Sequence, residues 1–195
     1  FSDKARTPLA FVSFGPGGER SFMFYRHPSA DMLMTPDDVN YALLDTAAAF
    51  HFGSITLIGE PSRSATLAAA GYALEKGLLI SYDPNLRRAL WPSEDAARAG
   101  MMLGFDFASV VKISDEELDF LTGGDVYALW REYTRLIVVT RGKDGSCAYT
   151  RDGTFLLAEG QGVHSVDTTG AGDSFVAAIL YKLLTAPNRD ELLED

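Results

Sequence analysis

Apolar and polar positions along the chain alternate between two periods. Residues 9–14 and 21–26 are apolar-aromatic runs flanking Gly15-Pro16-Gly17-Gly18, a pattern that predicts a β-hairpin with a glycine-rich turn. Thr35-Pro36-Asp37-Asp38 then offers an N-cap, a proline at the first helical position and acids in the first turn, predicting a helix from there towards Ala47. Residues 49–52 form a short apolar strand with an exit loop over 53–57. Pro61 opens an alanine-rich helix to Lys76, with Gly77 placed to close it. Strands over 78–82, 108–113 and 135–140 alternate with helices over 93–104 and 114–121, and such alternation predicts a parallel α/β sheet.

The texture changes after residue 140, because 7 of the 18 glycines fall within residues 141–172, more than twice their even share. Runs over 146–151, 154–159 and 162–166 read as short strands, and Asp152-Gly153 is a two-residue hairpin signal. The sheet is therefore expected to end in an antiparallel section. Beyond Asp167 the pattern turns helical over 174–184, and an acidic stretch occupies 190–195.

Charge and composition narrow the class. The 195 residues carry 17 Lys+Arg against 27 Asp+Glu, a formal charge of −10, which argues against gripping a nucleic-acid backbone. With 47% hydrophobic and 11% aromatic residues the chain can bury a sizeable core, and no apolar window approaches the roughly 18–20 residues that span a bilayer. Neither nucleic acid nor a membrane is an expected partner. Cys147 is the single cysteine, and His27, His51 and His164 are too scattered for a zinc pattern, so a reducing, cytoplasmic setting is expected. The chain begins at Phe1 without a signal-peptide pattern; the true N-terminus is expected upstream, with any targeting segment out of view.

The run Asp167-Thr168-Thr169-Gly170-Ala171-Gly172-Asp173 carries the chemistry. Small residues at Gly170, Ala171 and Gly172 let consecutive backbone N–H groups approach an anion where a helix N-terminus adds partial positive charge. Asp173 would repel a resting phosphate, but it can accept a proton from a substrate hydroxyl lying between it and a phosphoryl group. A plainer reading is a tight strand-to-helix turn in which Asp173 only complements the helix dipole. Neither a Gly-x4-Gly-Lys-Ser/Thr loop nor a complete Gly-x-Gly-x-x-Gly is present.

The full run resembles the Asp-Thr-x-Gly-Ala-Gly-Asp signature of the ribokinase-like (PfkB) carbohydrate kinases, matching at every position of 167–173. Tyr82-Asp83-Pro84-Asn85-Leu86-Arg87 with Trp91-Pro92 is similar to a stretch of fructokinases and ketodeoxygluconate kinases in that family, and the resemblance puts Arg87 near the phosphates. Lys112-Ile113-Ser114-Asp115-Glu116-Glu117 resembles the family's Lys-x-Asn-x-x-Glu, with Ser114 in place of Asn. That implies nucleotide contacts from Lys112 and a water-mediated Mg²⁺ role for Glu117, while Ser-x-x-Glu is also a capping box. Thr140, Gly142 and Gly145 resemble the nucleotide turn, and Asp167 and Thr169 match oxygens that hold a monovalent cation such as K⁺.

The opening hairpin and Tyr25-Arg26 resemble the fructokinase branch, where a ribbon lids the sugar. Arg26 then either contacts sugar oxygens or pairs with Asp31, and Phe22 and Phe24 read as ribbon packing. The resemblance implies a ribokinase-like three-layer α/β/α sandwich with a mostly parallel sheet and a β-ribbon lid, residues 1–35 forming the lid portion and 36–195 the core. It implies phosphoryl transfer from MgATP to the 6-hydroxyl of D-fructose, with Asp173 as base and Gly170, Ala171 and Gly172 as anion hole. Another kinase of the family, for ketodeoxygluconate or ribose, and a non-catalytic relative are the alternatives, and a homodimer through the ribbon is expected. Members run to about 300 residues, beyond the usual one-domain size, so upstream strands and final helices of the family are expected to be absent here.

Overall fold

A computed structural model of the chain describes residues 3–15, 20–26, 28–162 and 167–188. Its first element is a separate antiparallel ribbon of β1 (Leu9–Phe14) and β2 (Arg20–Tyr25), paired from Leu9 opposite Tyr25 to Phe14 opposite Arg20. The second sheet has six strands in chain order: β3 (Ala49–Gly53), β4 (Leu79–Asp83), β5 (Val110–Ser114), β6 (Leu136–Thr140), β7 (Ser146–Thr150) and β8 (Phe155–Ala158). β3 to β6 are parallel, and β7 and β8 are antiparallel additions. The helices are α1 (Tyr41–Leu44), α2 (Ser62–Glu75), α3 (Glu94–Phe105), α4 (Asp115–Thr122) and α5 (Ala171–Thr185).

Strand side chains alternate between the faces of the sheet, so each strand serves two layers. Phe52, Ile80, Tyr82, Val111, Ile113, Ile137 and Val139 form one core with Ala70 and Ala73 of α2, Met101 and Phe105 of α3, and Leu118 of α4. The other face carries Ala49, Leu79, Val110 and Leu136 against Ile179, Leu180, Leu183 and Leu184 of α5. Three layers result. The α5 face changes character along the strands: apolar where they begin, it becomes His51, Ser81, Asp83 and Lys112 towards their carboxyl ends, where parallel α/β sheets place ligands.

Local signals explain most boundaries. Gly77 (φ 68°) and Gly123 (φ 66°) follow α2 and α4 in the left-handed region that glycine tolerates. The Ser114 and Glu117 side chains form the reciprocal capping box at the start of α4.

Two elements differ from expectation. The helix expected from Pro36 to Ala47 splits, because Thr35 and Asp38 close their own capping box around a single 3-10 turn at Pro36–Asp38. Val39 is then extended, and Asn40 caps a new start at α1 by accepting from the Leu43 N–H. α5 begins three residues before the expected start at 174: Gly170 takes a left-handed conformation (φ 77°, ψ 2°), and its carbonyl accepts from the Ser174 N–H at 2.8 Å. The glycine run is thus the first turn of the helix. The hairpin turn at 16–18, residues 163–166 of the expected last strand, His27, His164 and the acidic stretch lie outside the described residues. Among those described, no helix is long and apolar enough to cross a membrane.

Tyr82 shows how tightly the larger core is filled. It is fully buried, donates to the Met101 carbonyl at 2.8 Å, and lies so close to α3 that a Cβ on Gly104 would approach its ring within 3.0 Å. Gly104→Ala is expected to cost about 1–3 kcal/mol through overpacking, read as a lower Tm in thermal unfolding; an unchanged Tm would show that the ring has room to move.

Candidate active site

The amino end of α5 projects over the polar carboxyl ends of the parallel strands. Its dipole favours an anion there, while the Ala171 N–H already donates to the Thr168 carbonyl at 3.1 Å. Gly170, Gly172 and Asp173 line a cleft of about 480 Å³ together with Thr168, Thr169, Asn85, Arg87, Arg88, Phe22 and Phe24. A second cleft of about 400 Å³ shares Ala171 and Gly172 with Thr140, Gly142, Gly145 and Phe175. A third, about 350 Å³, joins Asn85, Arg87, Lys112, Ser114 and Glu117. Gly172 therefore belongs to the wall between the first two, and Arg87 to the wall between the first and third.

Beneath α5, strand register brings distant charges together. Lys112 on β5 donates to Asp83 on β4, at 3.2 Å to Oδ2 and 3.4 Å to Oδ1, and both side chains are buried. A Cβ on Gly172 would stand 3.4 Å from the Lys112 Nζ, so the ammonium lies directly under the helix start. Burial pushes the Asp83 carboxyl up to about 6; Lys112 pulls it back down, while the carboxylates of Glu117 and Asp173 raise it further. Next along this face, His51 Nδ1 is 3.1 Å from Ser81 Oγ, and burial holds the imidazole below its ordinary value against the opposing charge of Asp173.

Asn85 and Arg87 occupy the loop after β4. Asn85 has φ 49°, a left-handed conformation that asparagine tolerates better than most residues. Its Oδ1 accepts from Arg87 Nη1 at 2.6 Å, and the same nitrogen reaches the carbonyls of Leu86 (3.2 Å) and Asn85 (3.4 Å). Glu117 is spent largely on architecture: Oε1 accepts from the Leu86 N–H at 2.6 Å, and Oε2 from Ser114 N and Oγ at 2.9 and 3.0 Å. It pins the Arg87 loop to α4 and still borders the third cleft.

Other expected residues are more dispersed. Thr140 Oγ1 donates to the Ile113 carbonyl at 3.4 Å, linking β6 to β5 at the mouth of the second cleft. Gly142 (φ 52°) and Gly145 (φ 88°) both need positive φ, and a Cβ on Gly145 would come within 3.0 Å of the Ala158 carbonyl. Asp167 Oδ1 accepts from both N and Oγ1 of Thr169 at 2.8 Å, ordering the turn into α5. Arg26 is buried and takes the ion-pair alternative, donating from Nε to Asp31 Oδ2 at 2.8 Å and from Nη2 to the Ile55 carbonyl at 3.1 Å. Tyr25 is exposed and meets Phe11 edge-on at 5.8 Å. Neither Arg26 nor Tyr25 is among the described residues lining the main cleft.

Three residues of the site were not singled out by sequence reasoning. Asp83 and Asn85 stand in the stretch 82–87 that resembles the family, but only Arg87 was given a role there, although an acid at the carboxyl end of a parallel strand was the available signal. Phe22 read as ribbon packing, and it walls the cleft.

The Asp83 environment has a consequence for stability. Between 3.8, the ordinary value, and about 6, the folded chain keeps a proton that the unfolded chain releases. Stability from this group therefore falls as pH rises through that window and is level above it. Relative to Asp83→Asn, the wild type is expected to lose urea resistance across this window, measured as the difference in unfolding midpoint; a difference independent of pH would contradict the assignment.

Comparison with known proteins identifies the family. The model of the pfkB family carbohydrate kinases matches residues 1–194. Fructokinase-1 of Zea mays is 50% identical over 194 residues, covering 96% of this chain and 60% of that protein. The crystal structure of a fructokinase from Xylella fastidiosa with bound ATP superposes with a TM-score of 0.88 at 32% identity, covering 99% of this chain and 62% of that one. A double-mutant fructokinase from Vibrio cholerae, in a form binding fructose, ADP and potassium ion, gives a TM-score of 0.83 at 35% identity, over 100% of this chain and 64% of that one. The chain spans about three fifths of the length of these relatives. With a family match that runs nearly end to end and a shared ribokinase-like α/β fold, the chain belongs to the pfkB family of carbohydrate kinases.

Proposed function

We propose that the protein containing this chain transfers the γ-phosphoryl group of ATP to the 6-hydroxyl of D-fructose, giving fructose 6-phosphate and ADP. One observation carries this reading: a carboxylate, an anion-binding helix start and an arginine without a carboxylate partner among the described residues border the same cleft. The fructokinases to which the chain is similar support fructose as the acceptor.

Because Gly172 lies in the wall between the two clefts beside α5, the nucleotide is assigned to the one with Thr140, Gly142 and Gly145, and the sugar to the one under the ribbon. The phosphoryl group then passes over the start of α5. Asp173 accepts the proton of the attacking hydroxyl as its oxygen bonds to the γ-phosphorus and the bond to the ADP oxygen breaks. The amides of Gly170, Ala171 and Gly172 stabilise charge on the transferring group, and Arg87 adds to this from the facing loop. Lys112 holds positive charge below the helix start. In this reading residues 1–35 form the lid portion, which excludes water that would compete as acceptor.

A divalent ion such as Mg²⁺ would neutralise phosphate charge. The described residues contain no cluster of three or more His, Cys, Asp or Glu able to hold a metal, which suits an ion bound through phosphates and water, with Glu117 bordering its shell. Asp167 and Thr169 are assigned to a monovalent cation beside the anion hole, in line with the potassium of the Vibrio cholerae enzyme.

The outer face of the ribbon carries Leu9, Phe11, Met23 and Tyr25, each more than half exposed. We assign it to a homodimer contact, since apolar patches on soluble proteins commonly mark interfaces.

Two measurements test this reading, both on the full reading frame that contains the chain. Asp173→Asn is expected to lower kcat for fructose about 10²–10⁴-fold in an ADP-release assay; equal rates would remove Asp173 as base, and a far higher kcat/KM for ribose or ketodeoxygluconate would reassign the sugar. Phe11→Ser with Met23→Ser is expected to convert a dimer to a monomer in sedimentation; an unchanged mass would move the contact elsewhere.

A further inference from the structure

Arg87 raises a physical problem. Its neighbours on the cleft walls are balanced, Arg88 by Glu94 at 3.1 Å and Lys112 by Asp83 at 3.2 Å. Arg87 instead places Nη1 on neutral oxygens of Asn85 and Leu86, and no carboxylate among the described residues pairs with it. A half-buried guanidinium needs restraint, since loose rotamers would have to be ordered each time a phosphate arrived. A carboxylate would supply restraint but would also cancel the charge and compete with the phosphoryl group.

The ribbon offers a different restraint. The Arg87 guanidinium carbon lies 5.5 Å from the centroid of the Phe22 ring. Phe22 stacks on Phe24 at 6.1 Å with an interplanar angle of 12°, and both line the cleft that Asp173 and Gly172 border. The face of an aromatic ring attracts a cation without carrying a countercharge, so it orients the guanidinium and leaves its charge available.

We propose that Phe22 is a positioning residue for Arg87, its ring holding the guanidinium over the cleft so that seating of the ribbon and charge stabilisation of the phosphoryl group are coupled. The inference deepens the kinase reading and rests on it for the identity of the anion. It assigns the ribbon an electrostatic task in addition to shielding the sugar: with the ribbon displaced, Arg87 keeps only its Nη1 contacts.

The test replaces Phe22 with mono-, di- and trifluorinated phenylalanine, which keep the ring's shape while weakening its negative face, in the full reading frame. Binding of inorganic tripolyphosphate is followed by calorimetry, and kcat for fructose by ADP release. Both are expected to fall stepwise with fluorine number, to a total of about 3- to 30-fold, with KM for fructose unchanged, and the series is expected to be flat in an Arg87→Ala background. A flat series in the wild-type background, or one that persists without Arg87, overturns the proposal. A wild type that binds tripolyphosphate with this dependence but phosphorylates no sugar would sink the kinase reading and leave the Phe22–Arg87 coupling standing.

Discussion

The buried pair of Asp83 and Lys112 sets the conditions under which the rest of the site can form. Two charges are taken out of water at the point where β4 and β5 end, and each is tolerable only because the other is 3.2 Å away. The strands bring Ile80, Tyr82, Val111 and Ile113 to one layer, so their register is held by that core. Given that register, the pair falls beneath α5. The helix settles over Lys112, whose Nζ would lie 3.4 Å from a Cβ at Gly172, and its first turn lies over an ammonium whose charge is already partly answered by Asp83. Removing one member of the pair would leave an uncompensated buried charge beneath the helix start.

Under the kinase proposal, an anionic nucleotide would have to bind a chain of formal charge −10. Screening reduces the field of surface carboxylates beyond roughly 8–10 Å at physiological salt, so the charges within the cleft weigh most. There the backbone amides at the start of α5, Lys112 below and Arg87 at the side stand beside the carboxylates of Asp83, Glu117 and Asp173.

Much of the fold was legible because strand and helix periods differ and because caps punctuate them; Ser114 and Gly77 stand where cap residues were expected, and Ser93, read as the first residue of its helix, caps it. The split of 36–47 was missed because Asn40 is a second N-cap signal inside an otherwise continuous pattern, and only one start was read. The glycine-rich helix start at 170–173 was legible because it is contiguous in sequence. The partnership of Asp83 with Lys112 was not, since 29 residues separate them and only parallel pairing makes them neighbours. Phe22 escaped for the same reason: its ribbon position shows an apolar residue in an alternating strand, while the guanidinium it faces comes from the loop after β4. The two readings of Arg26 were chemically equivalent in sequence, and Asp31 with the Ile55 carbonyl decided between them in the fold.

The walls of the two clefts beside α5 are built differently. At the cleft of Thr140 and Gly142, main chain packs on main chain: side chains on Gly145 or Gly160 would collide with the carbonyls of Ala158 and Lys143, so the turn at 142–145 and the segment after β8 are held close together. Such a wall presents fixed dipoles, which is what an anion site requires. Beside the first cleft, part of the wall is a two-stranded ribbon, an element too small to be stable by itself in water. It is moored at one end by Arg26, buried between Asp31 and the Ile55 carbonyl, and meets the loop after β4 through the Phe22 ring. One wall is thus fixed by backbone packed on backbone, the other by an ion pair at its base and a single aromatic contact at the cleft.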